Sequence, residues 1–169
     1  MKTPICTFDA RSGSLCSLCE NKLRTGELTQ EDVEGSIRLT RLSANNQDLD
    51  KLSLVSSRKV DDEFLLFFRA SDVSNLRSNE RLTKKIQEEF LGNAWFIEAD
   101  SSPRKFLENL FFPIRIGNSN LIWLPDGHKV TQVTVSKKEY ARISEKVDKI
   151  RRIAQEIKDI ELLVQVLGD

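Results

Sequence analysis

The sequence predicts a mixed α/β fold of the α+β kind. It is read as two tandem α-β-β-α-α-β modules, each with a three-stranded sheet, behind a short cysteine-bearing segment. Three observations predict it. Apolar runs of strand character alternate with segments whose apolar residues recur at helical spacing. The order of these elements is written twice along the chain. All three cysteines fall within CTFDARSGSLCSLC, residues 6–19, ahead of the first copy.

Taken in order, Cys19–Leu23 reads as a short helical turn stopped at Gly26. Thr29 opens a helix with Asp32 at the capping-box distance; Val33, Ile37 and Thr40 or Arg41 continue one face, with Leu39 and Leu42 beside it, and the helix is expected to end near Asn45-Asn46. Leu52–Lys59 and Glu63–Ala70 are strand-like, and FLLFF within the second is too apolar for anything but a central strand. Ser71-Asp72 caps a short turn, Val73–Leu76. A longer helix over Glu80–Leu91 carries Leu82, Ile86 and Phe90 at four-residue intervals and stops at Gly92. AWFIEA, residues 94–99, is the next strand.

The second copy opens at Ser102-Pro103, with proline in the first helical turn, where its missing N–H is not needed. Pro113 ends that helix. Ile114–Ile116 or Asn120–Leu124 pairs with Lys129–Val135 across the turn Pro125-Asp126-Gly127. Lys138–Ile143 and Val147–Ile157 read as helices and Ile160–Leu167 as the last strand. A shift of 67 residues, without a gap, places Leu66 on Val133, Phe68 on Val135, Val73 on Tyr140 and Leu76 on Ile143. It also places Ile86 on Ile153, Phe90 on Ile157 and Phe96 on Leu163, and all seven pairs are expected to be buried.

Lys+Arg and Asp+Glu balance at 26 each among 169 residues, so no global field draws the chain to nucleic acid or acidic lipid. Nucleic-acid binding then requires a local basic patch. No apolar run approaches the roughly 18–20 residues of a membrane span. The N-terminus MKTPICTFDARS lacks the apolar stretch of a secretory signal. Three cysteines make a disulfide framework a poor fit, and a reducing cytoplasm is the expected compartment.

Cys16 and Cys19 have the C-x2-C spacing of a zinc knuckle, and Cys6 is followed three residues later by Asp9. Zinc accepts carboxylate oxygen as well as thiolate, and two chelating turns joined through Gly13 can wrap one ion. Asp9 or a water would be the fourth ligand. The plainer alternative is a segment that has lost its metal and keeps three thiols. A region with so few apolar residues holds its shape better with a metal staple.

Catalytic chemistry is hard to place. His128, the sole histidine, adjoins the Asp126-Gly127 turn, and Asp61-Asp62 and Glu88-Glu89 read as a turn and a helix face. The chain is expected not to be an enzyme. Phe64, Phe67 and Phe68 are expected in a buried strand, and Trp95 and Trp123 in core or inter-module packing.

An α-β-β-α-α-β module with a tight turn between its two consecutive helices is the type II KH arrangement. Two in tandem, with CTFD…LCSLCENKL, RKFLENLFFPIRI and LIWLPDGHKVTQVTV, resemble the archaeal NusA-like KH proteins over almost the whole chain. The resemblance implies a zinc-knuckle-like segment at 1–28 and KH-like modules at 29–100 and 101–169. It places a fourth cysteine where Asp9 stands, so Cys6, Asp9, Cys16 and Cys19 become the ligands of a structural zinc.

The resemblance further implies single-stranded RNA held at a G-x-x-G loop, where glycines let phosphate reach the N–H groups of a helix start. The corresponding stretches here, Leu76–Arg81 and Ile143–Val147, contain no glycine. Phosphate contact would fall to side chains: Arg77, Ser78, Asn79, Arg81, Lys84 and Lys85 in the first module, Lys137, Lys138, Arg142 and Lys146 in the second. The ordinary alternative is a solvated helix end. The function implied is an RNA-binding accessory factor of transcription elongation or termination, or of RNA metabolism. The rival is a protein-interaction adaptor that contacts RNA polymerase, ribosome or an RNA-processing complex without gripping RNA.

Overall fold

A computed structural model describes residues 1–168 as a mixed α+β protein whose two three-stranded sheets lie in separate compact units, Met1–Asp100 and Ser101–Asp169. The first unit holds α1 (Thr7–Ser12), α2 (Ser17–Thr25), α3 (Gln30–Ser43), α4 (Gln47–Asp50), β1 (Leu54–Val60), β2 (Glu63–Phe68), α5 (Ala70–Ser78), α6 (Glu80–Glu89) and β3 (Ala94–Glu98). The second holds α7 (Pro103–Phe111), β4 (Ser119–Trp123), β5 (Lys129–Ser136), α8 (Lys137–Ile143), α9 (Val147–Lys158) and β6 (Leu162–Leu167). In each unit the middle strand pairs antiparallel with the strand before it and parallel with the strand that returns after two helices. The two-helix crossover is what parallel pairing requires, since a tight hairpin can join only antiparallel neighbours.

The first unit has its main core under the sheet, where Leu39, Leu49, Leu54, Phe64, Leu66, Phe68, Leu76 and Ile86 are all buried. Phe64 and Phe90 meet at 4.8 Å between ring centroids. Residues 1–28 belong to this unit and form a satellite core in which Ile5, Ala10, Cys19 and Leu28 pack with Val33 and Ile37 of α3. Helix α3 is fixed by a capping box between Thr29 and Asp32. Gly35 lets it lie close on β1, because a Cβ there would stand 2.4 Å from Ser57 Oγ. In the second unit Ser102 caps α7, and Phe106, Leu110, Val133, Val135, Ile150 and Ile153 are buried.

The structure corrects several details. Helices α1 and α4 have no counterpart in the sequence reading: α1 is only six residues and α4 four, too short for a helical period to register. Ile114–Ile116 is not a strand, and the alternative around Asn120–Leu124 supplies β4. The gapless 67-residue shift holds through α5 and α8 but not to the end. Leu66 pairs with Phe96, whereas Val133 pairs with Val164 rather than Leu163. Helix α9 is two residues longer than α6 and reverses at Asp159 (φ 52°), one residue later than Leu91 (φ 56°) requires under the shift. A one-residue slip moves a strand residue to the other face, so Leu163 is 46% exposed instead of buried. Tyr140, Ile157 and Phe96 are half-buried.

Candidate metal centre and nucleic-acid interface

Cys6 and Cys16 each stand in extended backbone immediately before a short helix, α1 and α2. That placement turns the following residues back: Asp9 lies in the first turn of α1, and Cys19 in the first turn of α2. Gly13, in the left-handed region at φ 79°, ends α1 and returns the chain towards Cys16. The result gathers Cys6 Sγ, Asp9 carboxylate oxygen, Cys16 Sγ and Cys19 Sγ within 4.8 Å of one another. All three cysteines are free thiols. A tetrahedral ion with about 2.3 Å bonds to sulfur and about 2.1 Å to oxygen spaces its ligands by roughly 3.5–3.8 Å, a small contraction of this cluster.

The hydrogen bonds of the cluster face inward. The Cys16 N–H donates to Asp9 Oδ2 at 2.9 Å and the Cys19 N–H to Cys16 Sγ at 3.5 Å. Asp9 is fully buried, and its Oδ1 has no hydrogen-bond partner. The Cys16 backbone N–H, helped by the neighbouring thiols against the effect of burial, lowers the Asp9 carboxyl to about 2. Burial pushes the Cys19 thiol up to about 12, against a backbone hydrogen bond from Cys6 and with the Asp9 carboxylate adding to the rise. A buried carboxylate that stays ionised, with one oxygen unpartnered amid three sulfurs, is a donor set a metal cation completes. The cluster can therefore hold a metal.

The first helix junction differs from an open loop. Asn79 alone separates α5 from α6, and its Oδ1 accepts the Leu82 N–H at 3.0 Å as the cap of α6. Ser78 Oγ donates to the Asn75 carbonyl at 2.9 Å. Arg77 is half-buried; desolvation draws its pKa down while the charge of the buried Glu98 carboxylate opposes that fall. Beside the junction lies a groove of about 680 Å³ lined by Lys51 and Arg77 but also by Asp48 and Glu80. Arg81 and Lys84 are exposed and Lys85 half-buried, all on α6. These six residues do share one neighbourhood, yet Ser78 and Asn79 hydrogen-bond within the junction and Arg77 faces Glu98 of β3.

The second junction is different. Between residues 137 and 152 the chain carries Lys137, Lys138, Arg142, Lys146, Lys149, Arg151 and Arg152, all exposed, against Glu139, Glu145 and Asp148. Lys138 and Arg142 are one turn apart on α8, and Lys146 stands at the residue before α9 without a side-chain cap bond. Arg151 pairs with Asp148 at 3.3 Å. The balanced composition hides an uneven distribution: residues 1–100 hold 14 Lys/Arg and 17 Asp/Glu, residues 101–169 hold 12 and 9.

Among the aromatic residues, Phe64 and Phe68 are buried in β2 and Phe67 is half-buried. Trp95 is half-buried and donates its indole N–H to Glu63 at 2.7 Å. Trp123 corrects the expectation of core packing: it is 63% exposed near the tip of the β4–β5 hairpin, with the Lys129 ammonium 4.4 Å from its ring centroid. Only the uncharged run around the tryptophan could have signalled that exposure. His128 is exposed beside Asp126, 2.9 Å from its carboxylate, at the same tip.

Fold and site together define a class: a mixed α+β protein of two repeated modules with a cysteine–aspartate cluster, buried at Asp9 and Cys19 and open at Cys6, able to hold a metal. No protein-family model matches the chain, and no curated protein sequence matches it. A solved structure titled "Crystal structure of APE1850" is similar over 77% of this chain and 95% of its own, with a TM-score of 0.49 and 14% identity. No helix among the described residues is long and apolar enough to cross a membrane.

Proposed function

We propose that this chain is an RNA-binding accessory factor of the archaeal NusA-like KH kind, acting in transcription or RNA metabolism, with a structural zinc in its N-terminal segment. The observation that carries the RNA reading is the α8–α9 corner, where seven exposed cations face three acidic residues over sixteen positions. A corner of that density attracts phosphates by counterion release and needs no glycine loop to do so. The grip on single-stranded RNA is therefore assigned to Lys137, Lys138, Arg142 and Lys146 of the second module. Arg77, Ser78 and Asn79 act in the folding of the first.

Zinc suits the cluster because three sulfurs and one oxygen in tetrahedral reach are donors it accepts. With four protein ligands no position stays open for a substrate, so the ion would be structural rather than catalytic. Free thiols at such a site suit a reducing cytoplasm. The glycine-free, single-residue junction of α5 and α6 favours a second reading: an adaptor on a KH scaffold, docking to RNA polymerase, ribosome or an RNA-processing complex.

Ultraviolet crosslinking of the purified protein to a single-stranded RNA oligomer, with mass spectrometry of the attached peptides, separates the two readings. The RNA reading expects adducts concentrated in residues 137–152. Adducts confined to residues 77–85 would refute the assignment, and none at low salt would leave the adaptor.

A further inference from the structure

The four ligating side chains of the N-terminal cluster differ in how far solvent reaches them. Cys6 is exposed and Cys16 half-buried, whereas Cys19 is 3% exposed and Asp9 fully buried. Cys19 also belongs to the satellite core with Ile5, Ala10 and Leu28, so its sulfur is packed from behind. Cys6 and Cys16 lie on either side of an exposed turn, residues 11–14, which reverses at Gly13. All three sulfurs stand within 4.8 Å of one another.

A bound metal keeps its cysteine ligands as thiolates, and the thiolate is the form that oxidants attack. An accessible thiolate with a second one in reach is the arrangement in which oxidation ends in a disulfide. We propose that the cluster is a peroxide-sensitive switch in which Cys6 is oxidised first and Cys16 resolves it, releasing the metal. The switch rests on the zinc reading above. The Cys6 thiolate attacks one oxygen of hydrogen peroxide, the O–O bond breaks, hydroxide leaves and Cys6 becomes a sulfenic acid. The Cys16 thiolate then attacks the Cys6 sulfur, the S–S bond forms and a second hydroxide leaves. Two thiolates have together given up two electrons, and one peroxide has been reduced to two hydroxide ions.

The two sulfurs close from no more than 4.8 Å to about 2.05 Å, a movement the exposed turn between them can take up. Either bond to Cys19 would instead draw its sulfur out of the satellite core. Asp9 and Cys19, two donors of four, do not complete a tetrahedral site and do not retain the ion. The main core under the first sheet shares no residue with the satellite core, so release loosens the segment around α1 and α2 and leaves that sheet standing.

The test uses the full chain purified with its zinc and a small excess of hydrogen peroxide. A chromophoric chelator too weak to strip the untreated protein follows the released zinc. Samples are alkylated and digested with trypsin without reduction. Trypsin leaves Cys6 in residues 3–11 and both Cys16 and Cys19 in residues 12–22, so a Cys6–Cys16 bond joins two peptides and a Cys16–Cys19 bond stays within one. About one zinc should be released per link between these peptides, with Cys19 alkylated, and dithiothreitol with added zinc should reverse both. Cys6→Ser should bring release in peroxide down to the rate without it. Should Cys6→Ser fail to hold zinc, the wild-type zinc release and peptide map decide alone. Zinc retained in peroxide, or released with a bond confined to residues 12–22 or with no bond at all, overturns the switch. Protein that carries no zinc before peroxide is added overturns the zinc reading itself, and the switch with it.

Discussion

Asp32 carries two duties at once, and replacing it with alanine should cost the first unit more than any simple helix cap. Its Oδ2 accepts the Thr29 N–H at 2.9 Å and its Oδ1 the Ser57 N–H at 2.7 Å, with the carboxylate almost wholly buried. Loss of the cap interaction costs about 1 kcal/mol. The Ser57 N–H, on a fully buried residue, would be left without its acceptor, at about 1–3 kcal/mol. Arg58, 3.5 Å away and 44% exposed, adds little. The sum is about 2–4 kcal/mol. Thr29→Ala is the control, since it removes the Thr29 Oγ1 bond to the Asp32 N–H but keeps the carboxylate, and should cost about 1 kcal/mol. Urea unfolding in a Trp123→Phe background reports the first unit through Trp95 alone. Equal losses for Asp32→Ala and Thr29→Ala would refute the argument that a helix side chain seals the β1 edge.

Other outcomes follow from the cluster and from Arg77. The folded Asp9 carboxyl, at about 2, lies below its ordinary value near 3.9, so in metal-free protein its stabilisation is present above about pH 4 and lost as pH falls towards 2. Acid titration followed by circular dichroism should show that loss in the wild type and not in Asp9→Asn. Purified protein should carry about one zinc by elemental analysis; Cys16→Ser or Cys19→Ser should release it, Asp9→Ala should loosen it less, and Asp9→Cys should tighten it. Arg77→Ala should lower thermal stability, because it leaves the buried Glu98 without the charge facing it, by about 1–2 kcal/mol given that Arg77 is only half-buried. RNA affinity in that variant should be unchanged by fluorescence anisotropy.

Where local rules act alone, sequence and structure agree closely. The Thr29–Asp32 capping box, the proline-led α7 and the central FLLFF strand are all decided within a few residues. The metal cluster was equally legible, because a C-x2-C spacing and its aspartate counterpart bring ligands together through tight turns. Long-range geometry was not. The slip that exposes Leu163 depends on where α9 reverses, and the reversal at Asp159 carries no glycine to mark it. The engagement of Arg77 with Glu98 depends on β3 lying beside α5, twenty-one residues on. Trp123 reads like a core residue in any periodicity argument, yet it stands 63% exposed at the last residue of β4.

The central claim, that the α8–α9 corner binds RNA phosphates, is tested most directly by the salt dependence of affinity for a single-stranded oligomer. Each phosphate contact contributes about 0.7 to the slope of log affinity against log salt. Lys138→Ala with Arg142→Ala and Lys146→Ala should therefore flatten the slope by about 2 relative to the wild type. An unchanged slope in the triple variant, or a wild type without measurable affinity at low salt, would contradict the account.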